Sequence, residues 1–334
     1  MPERNTMKKI QELQQVKGDA YDYYIAGNED TDLFEKIFLV DDIVEEICKP
    51  DKYFLIGEKG SGKTAYSVYM SKSDKINSFC SISLVENTLY QRFLNMKRQK
   101  ALELSSFKDV WINLIYLILA EKIRKEYGET FFSSIKYKQL SKAIDVFYSD
   151  AFKPEFVNAF EFVDNASASI NSMMKQGLFS TGTKASAETS QKYVEQSFQI
   201  SLLKIRDGFE KAFMSVNLKK PTILFVDGID ARPRDIDNEQ YFECLVGLVN
   251  AVLEMNQSFL KEKQIKIMLL IRPDIMYKMP VHNMNQKLRN NSVLLNWVTS
   301  YRKYIDSKLF KIADDYFMKQ QDYSYELGEC WNYY

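Results

Sequence analysis

The chain has 334 residues, 45 Lys+Arg against 45 Asp+Glu, no formal net charge, and a hydrophobic fraction of 46%. That composition excludes an intrinsically disordered chain, and the length suffices for a buried core and about two domains. Zero net charge argues against a protein whose main work is coating nucleic acid, leaving only a local basic cluster such as Lys97-Arg98-Gln99-Lys100, which a solvated helix face explains better.

In chain order, residues 31–49 space Phe34, Ile37, Phe38, Ile43, Val44 and Ile47 as one helical face ending at Pro50. Tyr53–Ile56 is a short apolar run predicted as a buried strand, followed by a turn from Gly57 to Thr64 and a helix to about Lys72. Ser78–Leu84 is the next strand candidate. A long stretch without strand signal follows: a helix over Ser106–Tyr127 with an apolar stripe, further helical patterns near 138–150, 154–174 and 187–216, and a small polar loop at Gln176–Ser190. Strand-like runs return at Thr222–Val226, Ile265–Ile271 and Ser292–Leu295, with a helix over Glu239–Leu260 between the first two and a last helix over 299–320. Five short apolar strands alternating with helices imply a parallel sheet covered on both faces, an α/β fold. The expected organisation is a helical lead-in at 1–30, a core formed by 31–87 and 221–310, an all-helical insertion at 88–220 and a helical extension at 311–334.

Four cysteines, Cys48, Cys80, Cys244 and Cys330, are widely spaced, and His282 is the single histidine. Buried, reduced thiols are expected at all four, and a Cys/His zinc site has too few ligands. The N-terminal segment MPERNTMKKIQELQQ is polar, unlike a signal peptide, and the longest apolar run, Leu114–Ala120, falls far short of the roughly 20 residues that cross a bilayer. No membrane association and a cytoplasmic location are therefore expected.

The most specific pattern is Gly57-Glu58-Lys59-Gly60-Ser61-Gly62-Lys63-Thr64, which fits G-x-x-x-x-G-K-[ST] between an apolar strand and a helix. Glycines let successive backbone N–H groups turn inward onto an anion, and the helix that follows, with Ala65 in its first turn, adds its positive end. Lys63 then reaches β- and γ-phosphates, and the Thr64 hydroxyl is placed to hold Mg²⁺. A glycine-rich turn without chemistry is the bland alternative. The expected ligands are ATP and Mg²⁺.

Such a loop needs a carboxylate at the end of a neighbouring strand. The run Thr222–Val226 ends in Asp227, which is expected to complete the Mg²⁺ site. Hydrolysing P-loop enzymes often carry Glu directly after this Asp; here it is Gly228, so Asp230 becomes the candidate for positioning water. The strand Ile265–Ile271 leads into Arg272, which would lie beside a γ-phosphate if that strand sits between the other two; a surface Arg at a strand exit is the alternative. Arg289, Arg302, Arg232 and Arg234 are weaker candidates for a sensor or for a finger reaching a neighbouring subunit.

Taken together, GEKGSGKT, ILFVDGID and IMLLIRPDI, in that order around a helical block, resemble the additional-strand P-loop NTPases, and more narrowly the STAND- and KAP-like branch near the AAA+ proteins. The resemblance covers about residues 50–85 and 220–310, and Lys287–Trp297 looks like the fifth strand of that family with its lead-in. It implies an ATP-dependent switch or motor that self-associates, often within prokaryotic antiviral defence; the missing Glu implies slow turnover. A non-catalytic, nucleotide-gated scaffold for an effector such as a nuclease, and a DNA-dependent motor, are the alternatives. Relatives are usually longer, and the aromatic ending Cys330-Trp331-Asn332-Tyr333-Tyr334 looks like part of a packed element, so a further C-terminal region is expected.

Overall fold

Five short runs of four to seven residues form a single sheet, in which the three central strands are buried at every position, as suits strands covered on both faces, and the two edge strands only in part. The computed structural model describes residues 11–25, 28–85, 107–132, 137–150, 202–230, 237–279, 288–297, 303–322 and 324–332. The strands are β1 (Phe54–Gly57), β2 (Phe79–Leu84), β3 (Thr222–Asp227), β4 (Ile265–Ile271) and β5 (Ser292–Leu295), all parallel, in the spatial order β2-β3-β4-β1-β5. The register pairs Phe54 with Leu269 and Ser292, and Leu224 with Ile267. Their carboxyl ends therefore share one edge of the sheet.

Alternate residues of each strand enter different cores, as the two-residue period of a strand requires. Phe54, Ile56, Leu224, Val226, Ile267 and Leu269 pack against α5 (Phe107–Phe132), α6 (Lys138–Asp150), α7 (202–215) and α8 (Asn238–Asn256). Leu55, Ile223, Phe225, Met268, Leu270 and Val293 face α1 (Ala20–Ile25), α2 (Asn28–Ile37), α3 (Asp42–Cys48) and α4 (Lys63–Lys72). A short helix α9 (Pro273–Lys278) follows β4, and α10 (Lys308–Met318) follows a single 3₁₀ turn at Tyr304–Asp306. No helix among the described residues is long and apolar enough to cross a membrane.

Several expectations need correction. The helical face over 31–49 is two helices, because Asp41 turns its carboxylate onto the Ile43 N–H and starts α3 afresh. The helix from Glu239 stops at Asn256 rather than Leu260. The last helix begins at Lys308, where the Ser307 hydroxyl accepts from the Phe310 N–H. The stripe on α5 is not a stripe: from Val110 to Ala120 essentially every side chain is buried, including Ile112, Asn113 and Leu117 on the side away from the predicted face. That helix shares one core with the sheet, together with described residues of 137–147 and 202–216. Cys48 is exposed, whereas Cys80, Cys244 and Cys330 are buried as expected. The predicted helix at 154–174, the loop at Gln176–Ser190 and the basic cluster at Lys97–Lys100 lie outside the described residues.

Two buried polar side chains tie helices to the middle of the sheet. Lys266 on β4 donates to the carbonyls of Ile47 and Lys49, capping the end of α3, and burial pulls its ammonium down to about 8. Asn256 at the end of α8 donates to the carbonyls of Val252 and Ile267 at 2.9 and 2.7 Å and accepts from the Ile267 N–H at 2.9 Å. Replacing Asn256 with Leu leaves those Ile267 groups buried without that partner. Asn256→Leu is expected to lose about 2–4 kcal/mol in urea unfolding, more than one ordinary hydrogen bond contributes.

Candidate active site

The site grows from the carboxyl edge of β1, β4 and β3. After Gly57 the chain turns through Gly60 and Gly62, whose φ values of 80° and 88° lie in the left-handed region that only glycine adopts freely. Gly62 then begins α4 with no side chain capping it, so the first-turn N–H groups of Lys63, Thr64 and Ala65 have no partner within the helix. A methyl group built on Gly57 would lie 2.2 Å from Ser61 Oγ, so the loop folds back tightly on its own start. Glu58, Lys59 and Gly60 are exposed at the crest, and Ser61 is buried beneath it.

Lys63 is buried inside this loop. Its Nζ donates to the Gly57 and Glu58 carbonyls at 2.9 and 3.2 Å and lies 3.9 Å from Asp230 Oδ2. Burial pulls the ammonium below its ordinary range, with Asp230 and Asp227 opposing the shift. From the end of β3, Asp227 Oδ2 accepts the Thr64 hydroxyl at 2.6 Å, and Oδ1 accepts the Gly228 N–H at 2.7 Å. The loop and the Asp-ending strand thus meet as their motifs anticipate.

Gly228 has a structural reason of its own. Its φ is 86°, and a Cβ there would stand 3.0 Å from the Val85 carbonyl oxygen. A Glu in that position does not fit this backbone. The turn it makes swings Asp230 back toward Lys63, and Tyr241 on α8 holds the turn by donating to the Ile229 carbonyl at 2.6 Å. Burial raises the Asp230 carboxyl to about 6 against the lowering pull of Lys63.

Pairing of β4 with both β1 and β3 brings Arg272 between the loop and Asp227. Its guanidinium donates to Asp274 Oδ2 at 2.8 Å. Ser61 Oγ, Asp230 Oδ1, Arg272 Nε and Asp274 Oδ1 are all buried atoms with no hydrogen-bond partner among the described residues. All four thus gather at this one edge, where a polar ligand with its waters would satisfy them. Arg289 is exposed just before β5, at the opposite end of the strands, which removes it as a sensor for this site. Arg232, Arg234 and Arg302 lie outside the described residues.

Three contributors escape a reading of the motifs. Two residues past β5, Trp297 donates its indole N–H to the Ser61 carbonyl at 2.9 Å and lies 3.8 Å from a Cβ built on Gly62. Beside it opens an apolar cavity of about 460 Å³, walled by Tyr23 and Phe34 of the N-terminal helices, Ala65 and Tyr66 of α4, and Ile312 and Tyr316 of α10. The third is Asp41, which accepts from the Tyr66 hydroxyl at 2.9 Å and from Lys308 Nζ at 2.6 Å while capping α3. That carboxylate ties α10 to the helix carrying the glycine loop. The only hint in the sequence is a Trp placed after the last strand, and a cap residue whose partners are remote.

A carboxyl raised in the folded chain binds its proton more tightly there than in the unfolded chain. Its contribution to stability is therefore full below about pH 4 and declines as pH rises through about 6. Urea unfolding of wild type and Asp230→Asn at pH 4, 5, 6 and 7 is expected to show the wild type losing ground to the variant across that window; a constant difference would contradict the raised carboxyl. No family model, curated protein or solved structure matches the chain.

Proposed function

We propose that the chain is an ATP-binding, slowly hydrolysing switch ATPase of the P-loop type. The observation that carries the proposal is the convergence, on one sheet edge, of an uncapped helix start behind two left-handed glycines, a buried Lys63, and a Thr64 hydroxyl in contact with Asp227. Those residues fit a triphosphate with its metal: open amides and an ammonium for the phosphate oxygens, a hydroxyl and a carboxylate for Mg²⁺, and orphaned polar atoms alongside. Bound Mg²⁺ would neutralise charge on the phosphate oxygens. The strand order supports the same reading, since β4 separates β1 from β3 and carries Arg272 to the gap.

Each residue then has a separable task. Lys63 exchanges the Gly57 and Glu58 carbonyls for phosphate oxygens, which are better partners for a buried ammonium. Thr64 and Asp227 hold the metal. Asp230, with its carboxyl raised to about 6, is largely ionised at neutral pH and positions water as a weak base near its best range. Arg272 reads the terminal phosphate by leaving Asp274. The aromatic cavity beside Gly62 and Trp297 takes the nucleobase, and its apolar walls suit adenine better than the more strongly hydrogen-bonding guanine. Since α10 forms one wall, occupancy ties the C-terminal helix to the nucleotide, which is how a switch would reach a second copy of the chain or an effector such as a nuclease. The resemblance of the three motifs to defence-associated ATPases supports that setting.

A second reading has its own observation. Gly228 leaves no room for Glu after Asp227, which favours a nucleotide-gated scaffold with no turnover. Calorimetry and phosphate release separate the two. Lys63→Ala is expected to weaken ATP binding at least about tenfold, the loss of one charge-assisted contact. Asp230→Ala is expected to leave binding within about threefold and to lower phosphate release by roughly a hundredfold, the lower range for a positioned base. Equal release in wild type and Asp230→Ala removes Asp230 from the mechanism, and ATP binding without any release establishes the scaffold.

A further inference from the structure

At the opposite end of α4 from the glycine loop lies an open groove of about 690 Å³, lined by Met70–Lys72 of α4, by Ser73 and Asp74 just past it, and by Ser78–Ser81 at the start of β2. Three separate segments of chain send lysines to it: Lys72 from the last turn of α4, Lys122 and Lys125 from α5, and Lys219 and Lys220 from the approach to β3. Among the described residues two carboxylates, Asp74 and Glu126, stand against these five, an excess of three positive charges in the described lining of a chain with no net charge. Lys122 and Lys125 are one helical turn apart and so fall on one face of α5.

Aromatic rings share the lining. Tyr21 and Tyr24 of α1 lie 5.4 Å apart between centroids, with Lys72 Nζ 5.7 Å from the Tyr24 ring, and Tyr127 meets Phe79 edge-on at 6.2 Å. The groove also runs along β2, the outer strand of the sheet, where the Ile82 N–H is taken by the Tyr24 hydroxyl at 3.3 Å. That contact occupies an edge group which another strand would need, so the groove is not shaped for β-addition.

We infer that this groove binds single-stranded nucleic acid, through phosphate contacts to the five lysines and base contacts to the tyrosines. Lysines alone would serve any polyanion. Lysines interleaved with tyrosine rings match a strand that presents alternating phosphates and unstacked bases, whereas an acidic polypeptide has no use for the rings. A duplex keeps its bases stacked and unavailable to them. The inference is independent of the nucleotide reading, because it uses neither the glycine loop nor Asp227. It does give α4 a second role, as the helix whose first turn faces one ligand and whose last turn faces another.

The test is fluorescence anisotropy with a labelled single strand of roughly 20 nucleotides, read at several salt concentrations. For three to five phosphate contacts, log K against log salt is expected to fall with a slope of about −2 to −3.5. The variant Lys122→Gln/Lys125→Gln/Lys219→Gln/Lys220→Gln is expected to weaken binding at least about tenfold and to flatten that slope. Lys303→Gln/Lys311→Gln, exposed positions around the start of α10, is expected to change neither. Three results would overturn the inference: unchanged affinity in the quadruple variant, equal affinity for a duplex of the same length, or displacement by polyglutamate as effective as by unlabelled strand. Lys63→Ala is expected to bind the strand normally, so a failed nucleotide titration and a failed strand titration are distinct outcomes.

Discussion

Everything at the candidate site depends on the parallel register of β1, β4 and β3. Pairing Leu55 with Leu270, and Phe225 with Met268, makes the three strands run out at the same edge, so Gly57 and Arg272 leave the sheet level with each other and Asp227 two residues short of Arg272 on the neighbouring strand. Adjacent strands stand roughly 4.8 Å apart, which places the outer two exits about 10 Å from one another with Arg272 between. A shift by one residue would send the alternating apolar side chains into the wrong core, so the burial that stabilises the sheet also holds the chemistry in place. Parallel pairing is what lets a hydrophobic constraint decide where polar groups meet.

Given that alignment, the electrostatics are a set of exchanges. Lys63 in a buried loop needs anionic or carbonyl oxygens close by, and it takes two carbonyls and the more distant Asp230. Asp230 is held in by Tyr241 through the Ile229 carbonyl, and its burial outweighs the help from Lys63, so its carboxyl is raised. Arg272 is satisfied by Asp274 on one nitrogen and finds no partner for its Nε among the described residues. The contacts of Lys63 and Arg272 are weaker than those the two cations would make to phosphate oxygens. Under the proposed function those internal contacts are substitutes, which a bound triphosphate would displace at small loss.

Much of this was legible in one dimension, for a physical reason. Strands of a parallel sheet are short, mostly apolar runs bounded by turn residues, so all five are legible to within about a residue, and the glycine loop is marked by spacing that few other structures require. Arg272 was placed by topology once the middle strand was assumed to lie between the other two. What escaped was set by the third dimension. Helix α5 shows a stripe in sequence yet is enclosed on all sides from Val110 to Ala120, because α6, α7 and α8 pack around that segment. Trp297 contacts Ser61, and Lys308 contacts Asp41, across more than two hundred intervening residues, and no local pattern encodes such pairs. Lys266 was visible as a charge inside an apolar strand, but its partners at the end of α3 were not. The exposure of Cys48 follows from its place at the last turn of α3, where the chain leaves the core.

The contacts that escaped are also those that couple the site to the rest of the chain. Asp41 accepts from Tyr66 on α4 and from Lys308 on α10 through the same carboxylate, so any shift of α4 against α10 must lengthen one of the two bonds. Burial pushes the Tyr66 hydroxyl up and keeps it protonated, so it stays a donor across the accessible pH range. The cavity beside Gly62 lies between these same helices. A ligand that fills it and grips the first turn of α4 therefore bears on both arms of the Asp41 contact at once. Helix α4 is ten residues long, about 15 Å, and rigid over that length, so what moves its first turn also moves the Lys72 end at the basic groove. Coupling between the two ends needs no relay of loops; one helix, pinned by one carboxylate, is sufficient to carry it.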